Sequence, residues 1–328
     1  MELGIVAADM WVEWWRGSAG GERAGWWRVL PMGDRMVTGI AIDLGSARTR
    51  IWTTEHGLVA DVPTHAPGTS GRRGLVYRGE IVNAAATASF LATLLGRETP
   101  TSATSSVRMA TRINQPDVGN LVEDGGPRRS VGAARKASLP AQSDPNRTSE
   151  LTVGRRLTVV AVVPVLGGER QRLELRTVLD VLGPAAVVTL DGAKAVAFGA
   201  RVGVAEPLLV VDVGAQLIEV ALLTDGAVVE ARRTPLGVDD LSAAEVVEEV
   251  ADAVLGLLQG DCCGQVVDAL DRGVLLAGGG ALRPEITYKL SRRIGATVRP
   301  APAPHTAAVR GAATALQATH RHPGTRNA

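Results

Sequence analysis

An apolar run ending in Asp-x-Gly occurs twice in this chain, 169 residues apart, and the match continues without a gap. Ile40-Ala-Ile-Asp43-Leu-Gly45 through Ile51 aligns with Leu209-Val-Val-Asp212-Val-Gly214 through Val220. Both copies then reach a glycine-led turn, Gly57-Leu-Val and Gly226-Ala-Val. Each reads as a strand, a tight turn, a second strand, a glycine turn and a third strand, which is an antiparallel meander. A unit repeated at this distance must be one supersecondary plan used twice. That excludes a fold with no internal symmetry, as well as fibrous and disulfide-stapled classes.

A second pair of matches runs at an offset of 112: Val163 with Leu275, Gly167-Gly168 with Gly279-Gly280, Gly183 with Gly295, and Gly199 with Gly311. The spacing of apolar residues predicts helices over 169–182 and 281–294, and another over 242–258. Together the matches describe two copies of a βββαβα plan. Alternating strands and helices of this kind build α/β domains, here two that face each other across a cleft. The first is expected over 36–200 and the second over 201–318, with 319–328 a frayed tail.

Two segments fall outside the plan. Residues 98–156 are dense in Ser, Thr, Pro, Arg and Gly, contain no aromatic and carry one isoleucine, Ile113. Such a stretch buries too little apolar surface to offset its ordering entropy, so a disordered insertion is expected. Its balance of nine basic against six acidic residues is only slightly positive. Residues 1–35 hold five of the six tryptophans. Two readings stay open there: an interfacial anchor, with Leu3, Val6, Met10 and Trp14 on one helical face, or upstream sequence preceding a start at Met32 or Met36.

Composition narrows the function classes. Formal net charge is +1, so no global field argues for nucleic acid. Of the basic residues only Lys136, Lys194 and Lys289 are lysines, and in a chain so rich in arginine single arginines carry little information. Cys262 and Cys263 are adjacent, with neither the spacing nor the histidines of a zinc site, and read as reduced thiols. No apolar run approaches the ~20 residues of a membrane-spanning helix, and no signal peptide is visible.

An aspartate at the end of a buried strand, followed by x-Gly and a tight turn, brings a carboxylate and backbone N–H groups to one spot. The N–H groups suit a phosphate and the carboxylate suits its magnesium. Alone the motif is common; two copies in register are expected to aim at one polyphosphate. The candidate binding residues are Asp43, Gly45, Ser46 and Ala47 from the first copy and Asp212 and Gly214 from the second, with Asp43 and Asp212 as metal ligands. Gly278, Gly279 and Gly280, between a strand and a helix, are candidates for the nucleoside side.

These residues resemble a known set. The chain is similar to the actin, heat-shock-chaperone and sugar-kinase superfamily, and within it to the bacterial actin MreB family of rod-shape-determining proteins. Ile42-Asp-Leu-Gly-Ser-Ala-Arg-Thr49 looks like that family's first phosphate motif. Val211-Asp-Val-Gly214 with Glu219-Val-Ala looks like the second, and Leu275-Leu-Ala-Gly-Gly-Gly-Ala-Leu282 like the adenosine motif. Residues 191–199 and 305–311 resemble the two connecting helices. The resemblance implies an ATPase core of ribonuclease H-like halves around a nucleotide cleft, with ATP and Mg²⁺ as cofactors.

The departures are informative as well. Only about a dozen residues, 65–76, link the third strand to the first helix, and Pro235-Leu-Gly-Val-Asp-Asp-Leu241 runs straight into the helix at 242, so both outer subdomains are expected to be missing. The water-positioning residue of the family falls on Gly192, which has no side chain to do it; Asp191 is the only nearby substitute. Gln216, Leu217 and Ile218 stand where the family has Gly and Thr.

The expected protein is a reduced MreB-like actin with a structural role in cell shape and wall synthesis and weak or vestigial nucleotide binding. Its expected partners are itself or a full-length bacterial actin and the wall-synthesis apparatus, in the cytoplasm or at its membrane face. The alternatives are an active, filament-forming ATPase and a small-molecule kinase of the same fold.

Overall fold

The computed structural model describes residues 39–65, 74–95 and 157–321. The tryptophan-rich segment 1–35, the insertion 98–156 and the tail beyond Arg321 lie outside the described residues.

The first half runs β1 (Gly39–Leu44), β2 (Arg48–Thr53), β3 (Gly57–Pro63), a short ribbon β4 (Val76–Tyr77) and β5 (Glu80–Ile81), then α1 (Ala84–Leu94), β6 (Thr158–Val163), α2 (Gly168–Leu179), β7 (Ala186–Asp191) and α3 (Gly192–Ala200). The second runs β8 (Leu208–Val213), β9 (Ile218–Thr224), β10 (Ala227–Thr234), α4 (Ala243–Leu258), α5 (Cys263–Arg272), β11 (Val274–Ala277), α6 (Pro284–Ile294), β12 (Val298–Pro300) and α7 (Ala307–Arg321). Their sheets share one order, β3-β2-β1-β6-β7 and β10-β9-β8-β11-β12. Each half thus runs βββα and then βαβα, ending in the helix that the resemblance placed at 191–199 or 305–311; the β4–β5 ribbon in the first half and α5 in the second are additions to the shared plan, and α7 continues past residue 318.

Central strands are apolar on both faces because both faces are covered. In β1, Ile40 and Ile42 pack with Ile51, Leu91 and Leu179 under α1 and α2, while Ala41 faces the other way. In β8, Leu209, Val211 and Val213 face α4, α5 and α6, while Val210 faces the other half. The inward residues Ala41, Val160, Val210 and Leu275 meet an alanine-rich layer from α3 and α7. That layer joins the halves, and its small side chains let the two helices touch backbone to backbone. A Cβ on Gly199 would overlap the Ala307 carbonyl, and one on Gly311 the Ala195 carbonyl. The matched glycines of the sequence are therefore the crossing point of the helices.

Gly183 and Gly295, also matched at 112, end equivalent helical segments in the left-handed conformation at φ 58° and 67°. The strands do not keep that offset. Ala41 pairs with Val160 and Val210 with Leu275, so structural equivalence puts Val160 on Leu275, an offset of 115. Apolar strands carry little to fix an alignment within three residues, whereas a glycine at positive φ does.

The first helix begins at Ala84, later than the twelve-residue link of the sequence reading. Arg78 and Gly79, at φ 52° and 79°, make a two-residue turn of the primed type that pairs Val76 with Ile81. Asn83 then caps α1, its side chain accepting the Ala86 N–H at 2.9 Å. In the second half only residues 235–242 join β10 to α4, and Ser242 caps the helix in a reciprocal box with Glu245. No further subdomain fits in that link. No helix among the described residues is long and apolar enough to cross a membrane.

Candidate functional site

Both Asp-x-Gly turns close in the same way. The Gly45 N–H donates to the Arg48 carbonyl at 3.1 Å and the Gly214 N–H to the Leu217 carbonyl at 2.8 Å, positions again 169 apart. A Cβ on either glycine would press on that carbonyl at 3.0 and 2.9 Å. The turn carbonyls are tied back into the scaffold: Gly45 accepts from the Thr64 hydroxyl at 2.7 Å, Gly214 from the Val238 N–H at 3.1 Å and Ala215 from the Asp239 N–H at 2.9 Å. In a trans peptide the N–H points opposite to the carbonyl. The N–H groups of Ser46, Ala215 and Gln216 consequently point away from those tethers, and all three residues line a common space.

That space is a cleft of about 350 Å³ between the halves. Asp43, Gly45, Ser46, Ala47, Asp212, Gly214, Gly278 and Gly279 all line it, as does Gly192. Gly280 does not; it is buried against Val213, where a Cβ has no room. The glycine run leads into a 3-10 turn over Gly280–Leu282 before α6 starts at Pro284, so no α-helix N-terminus follows it directly. Gly278, at φ 82°, passes so close to the Asp212 carboxylate that a Cβ would collide with it. Asp191 lies outside the lining and pairs with Arg172 at 3.1 Å.

Two lining residues were not among the candidate site residues, although Glu219 belongs to the second motif. Arg50 sits directly across the strand pair from Asp43, and Glu219 directly across from Asp212. The offset of 169 makes them equivalent positions with opposite charge. Arg50 reaches Asp43 at 3.3 Å and Asp61 on β3 at 3.3 Å, and its side chain is 12% exposed. Arg48 adds a second contact to Asp61 at 2.5 Å. Glu219 is buried, and its Oε1 finds no hydrogen-bond partner among the described residues. Its other carboxylate oxygen lies 3.6 Å from where a Cβ on Gly192 would stand. The 169-residue repeat pairs the two positions, but it does not by itself mark Arg50 among so many arginines.

The charges respond accordingly. Burial raises the Asp43 carboxyl while Arg50 opposes the rise. Burial, then the neighbouring Asp43, push Asp212 up to about 7, and burial with Asp212 beside it pushes Glu219 well above the carboxylate range. The ribbon turn completes the wall: Gly79 lines the cleft, its N–H donates to the Ser46 hydroxyl at 3.3 Å, its carbonyl accepts from Gln171, and Arg233 of the second half donates to the Arg78 carbonyl at 2.6 Å.

Paired glycine turns that line one cleft suit the phosphates of a nucleotide. The same residues do not match a divalent cation equally well. Of the two expected carboxylates, Asp43 already has a guanidinium beside it, and the described residues contain no group of three His, Cys, Asp or Glu placed to hold a metal.

Symmetric halves, matched sheet order and a cleft at the crossing of α3 and α7 define the actin-like ATPase fold, and solved structures agree. MreB5 of Spiroplasma citri bound to AMPPNP superposes with a TM-score of 0.62 at 14% identity, over 88% of this chain and 98% of that one. The same protein bound to ADP gives 0.63 at 14% identity, over 89% and 99%. A MamK double helical filament gives 0.50 at 11% identity, over 87% and 99%. The family model described as MreB/Mbl protein matches residues 240–323. No curated protein matches the sequence. The chain therefore has the actin-like ATPase fold, and over residues 240–323 it is similar to the MreB/Mbl family.

Proposed function

We propose that this chain binds a nucleotide between its two Asp-x-Gly turns, weakly and with little hydrolysis, and serves a structural role in cell shape and wall synthesis, assembling with itself or with a full-length bacterial actin at the cytoplasmic face of the membrane. The observation that carries the reading is the pair of equivalent turns facing one cleft. The AMPPNP and ADP bound by MreB5, and the filament of MamK, support nucleotide as ligand and self-association as mode of action. Two features support slow chemistry. The eight-residue link at 235–242 leaves no second outer subdomain to close over base and ribose, and Gly192 has no side chain to orient water. Losing such a group typically costs 10²–10⁴-fold in rate.

The test is steady-state ATP turnover and pelleting of the full chain. Turnover near background, with assembly indifferent to nucleotide, supports the scaffold. Turnover comparable to full-length bacterial actins in the same assay, lost in Asp212→Ala, overturns it in favour of an active cytoskeletal ATPase. One observation favours that second reading: the Glu219 carboxyl lies beside Gly192, close to where a side chain there would begin. An active enzyme of this kind would lose at least tenfold in turnover on Glu219→Gln.

A further inference from the structure

The cleft carries a fixed cation at the place where the Asp-x-Gly logic expects a mobile one. Arg50 extends from β2 across the strand pair to Asp43, with its Nη1 3.3 Å from the carboxylate and its Nε 3.3 Å from Asp61. The side chain is held from both sides and lines the cleft beside the first phosphate turn. A guanidinium is always charged and presents several donors in a rigid plane, so it recognises phosphate oxygens without needing water or metal between. At the equivalent place in the second half stands Glu219, which brings no cation. Arg283 and His305 line the same cleft, and Arg48 stands at its first turn.

We infer that Arg50 takes the place of the divalent cation, so that this cleft binds the polyphosphate of a nucleotide without metal. Neutralisation of Asp43 by Arg50 removes the repulsion that a lone carboxylate exerts on phosphate, which is the electrostatic task a metal performs in such a site. Burial, with Asp43 beside Asp212 and Asp212 beside Glu219, raises both carboxyls, and so they add less repulsion than two ordinary carboxylates would. The inference rests on the nucleotide reading above and adds to it how the charge is balanced.

The experiment is calorimetric titration of the full chain with ADP, once in magnesium and once in EDTA. Affinities within threefold of each other are expected. Arg50→Gln should weaken binding at least tenfold in EDTA, Arg50→Lys should recover most of that loss, and Asp43→Asn, which frees the guanidinium, should tighten binding in EDTA severalfold. Binding at least tenfold weaker in EDTA than in magnesium, or an Arg50→Gln chain that binds as well as the original in EDTA, overturns the inference and leaves the nucleotide reading standing. Absence of ADP binding in both buffers overturns both. Melting curves confirm that each variant is folded, and if Arg50→Gln is not, the two buffers on the original chain decide alone.

Discussion

The two halves repeat the same turn, the same sheet order and the same helix crossing, yet they set opposite charges across from the motif aspartate. In the first half Asp43 faces Arg50, and Asp61 with Arg48 extends the ion-pair network. In the second Asp212 faces Glu219, and two carboxyls share a confined space. The backbone features are those the turn needs, so they repeat; the cross-strand residue contributes nothing to the turn and was free to diverge. The difference teaches that the symmetry of such a cleft lies in its main chain, while its electrostatics are asymmetric.

The symmetry breaks most severely at the helix crossing. Gly311→Leu forces a side chain into the Ala195 carbonyl and should cost about 3 kcal/mol or more, because rigid backbone on both sides leaves no room to relax. Gly199→Leu should do the same against Ala307. Urea unfolding checks both, and equal losses would confirm that the two glycines are one contact.

Next in size is the response to pH, which sharpens the contrast of charges. Asp212 is raised from 3.8 to about 7 in the folded chain, so the unfolded chain gives up its proton first. Its contribution to stability is full below pH 4 and is lost as pH climbs toward 7, at no more than about 1.4 kcal/mol per pH unit. Asp212→Asn should flatten that fall. In the first half Asp61 is lowered, chiefly by the Arg48 hydrogen bond and then by Arg50 acting against burial, and the sign reverses: its contribution is present above pH 4 and is lost on acidification. Because Asp61 is partly open to solvent the second effect is the smaller. Unfolding midpoints of Asp212→Asn and Asp61→Asn across pH 3 to 8 separate the two.

The smallest effect compares helix starts. Asn83 caps α1 and Ser242 caps α4, each through a side-chain oxygen that takes an N–H three residues on. Asn83→Ala and Ser242→Ala should each cost about 1 kcal/mol. A shift in thermal midpoint for both, similar in size, is the expected outcome; a much larger one at Ser242 would show that the short link at 235–242 depends on the cap.

What the sequence alone determined was the part of the molecule that main-chain geometry dictates. A tight turn, a left-handed helix end and a backbone crossing each demand glycine at one position, so Gly45 and Gly214, Gly183 and Gly295, and Gly199 and Gly311 were legible as pairs, and with them the duplicated plan and the cleft residues Asp43 and Asp212. Strands read less sharply: nothing in a run of Val, Leu and Ala marks a shift of three residues, and the offset of 115 between Val160 and Leu275 emerged only from the pairing of β6 with β1 and of β11 with β8. The ribbon at Arg78-Gly79 was lost because two-residue strands carry no periodic pattern. Only the tertiary structure decided which arginine matters, since a chain this rich in arginine gives no reason to choose Arg50 until Asp43 and Asp61 close around it. It decided equally that the Glu219 carboxyl lies beside Gly192: the residue was legible in its own motif, but its place against a helix start of the other half comes only from the packing of the two halves.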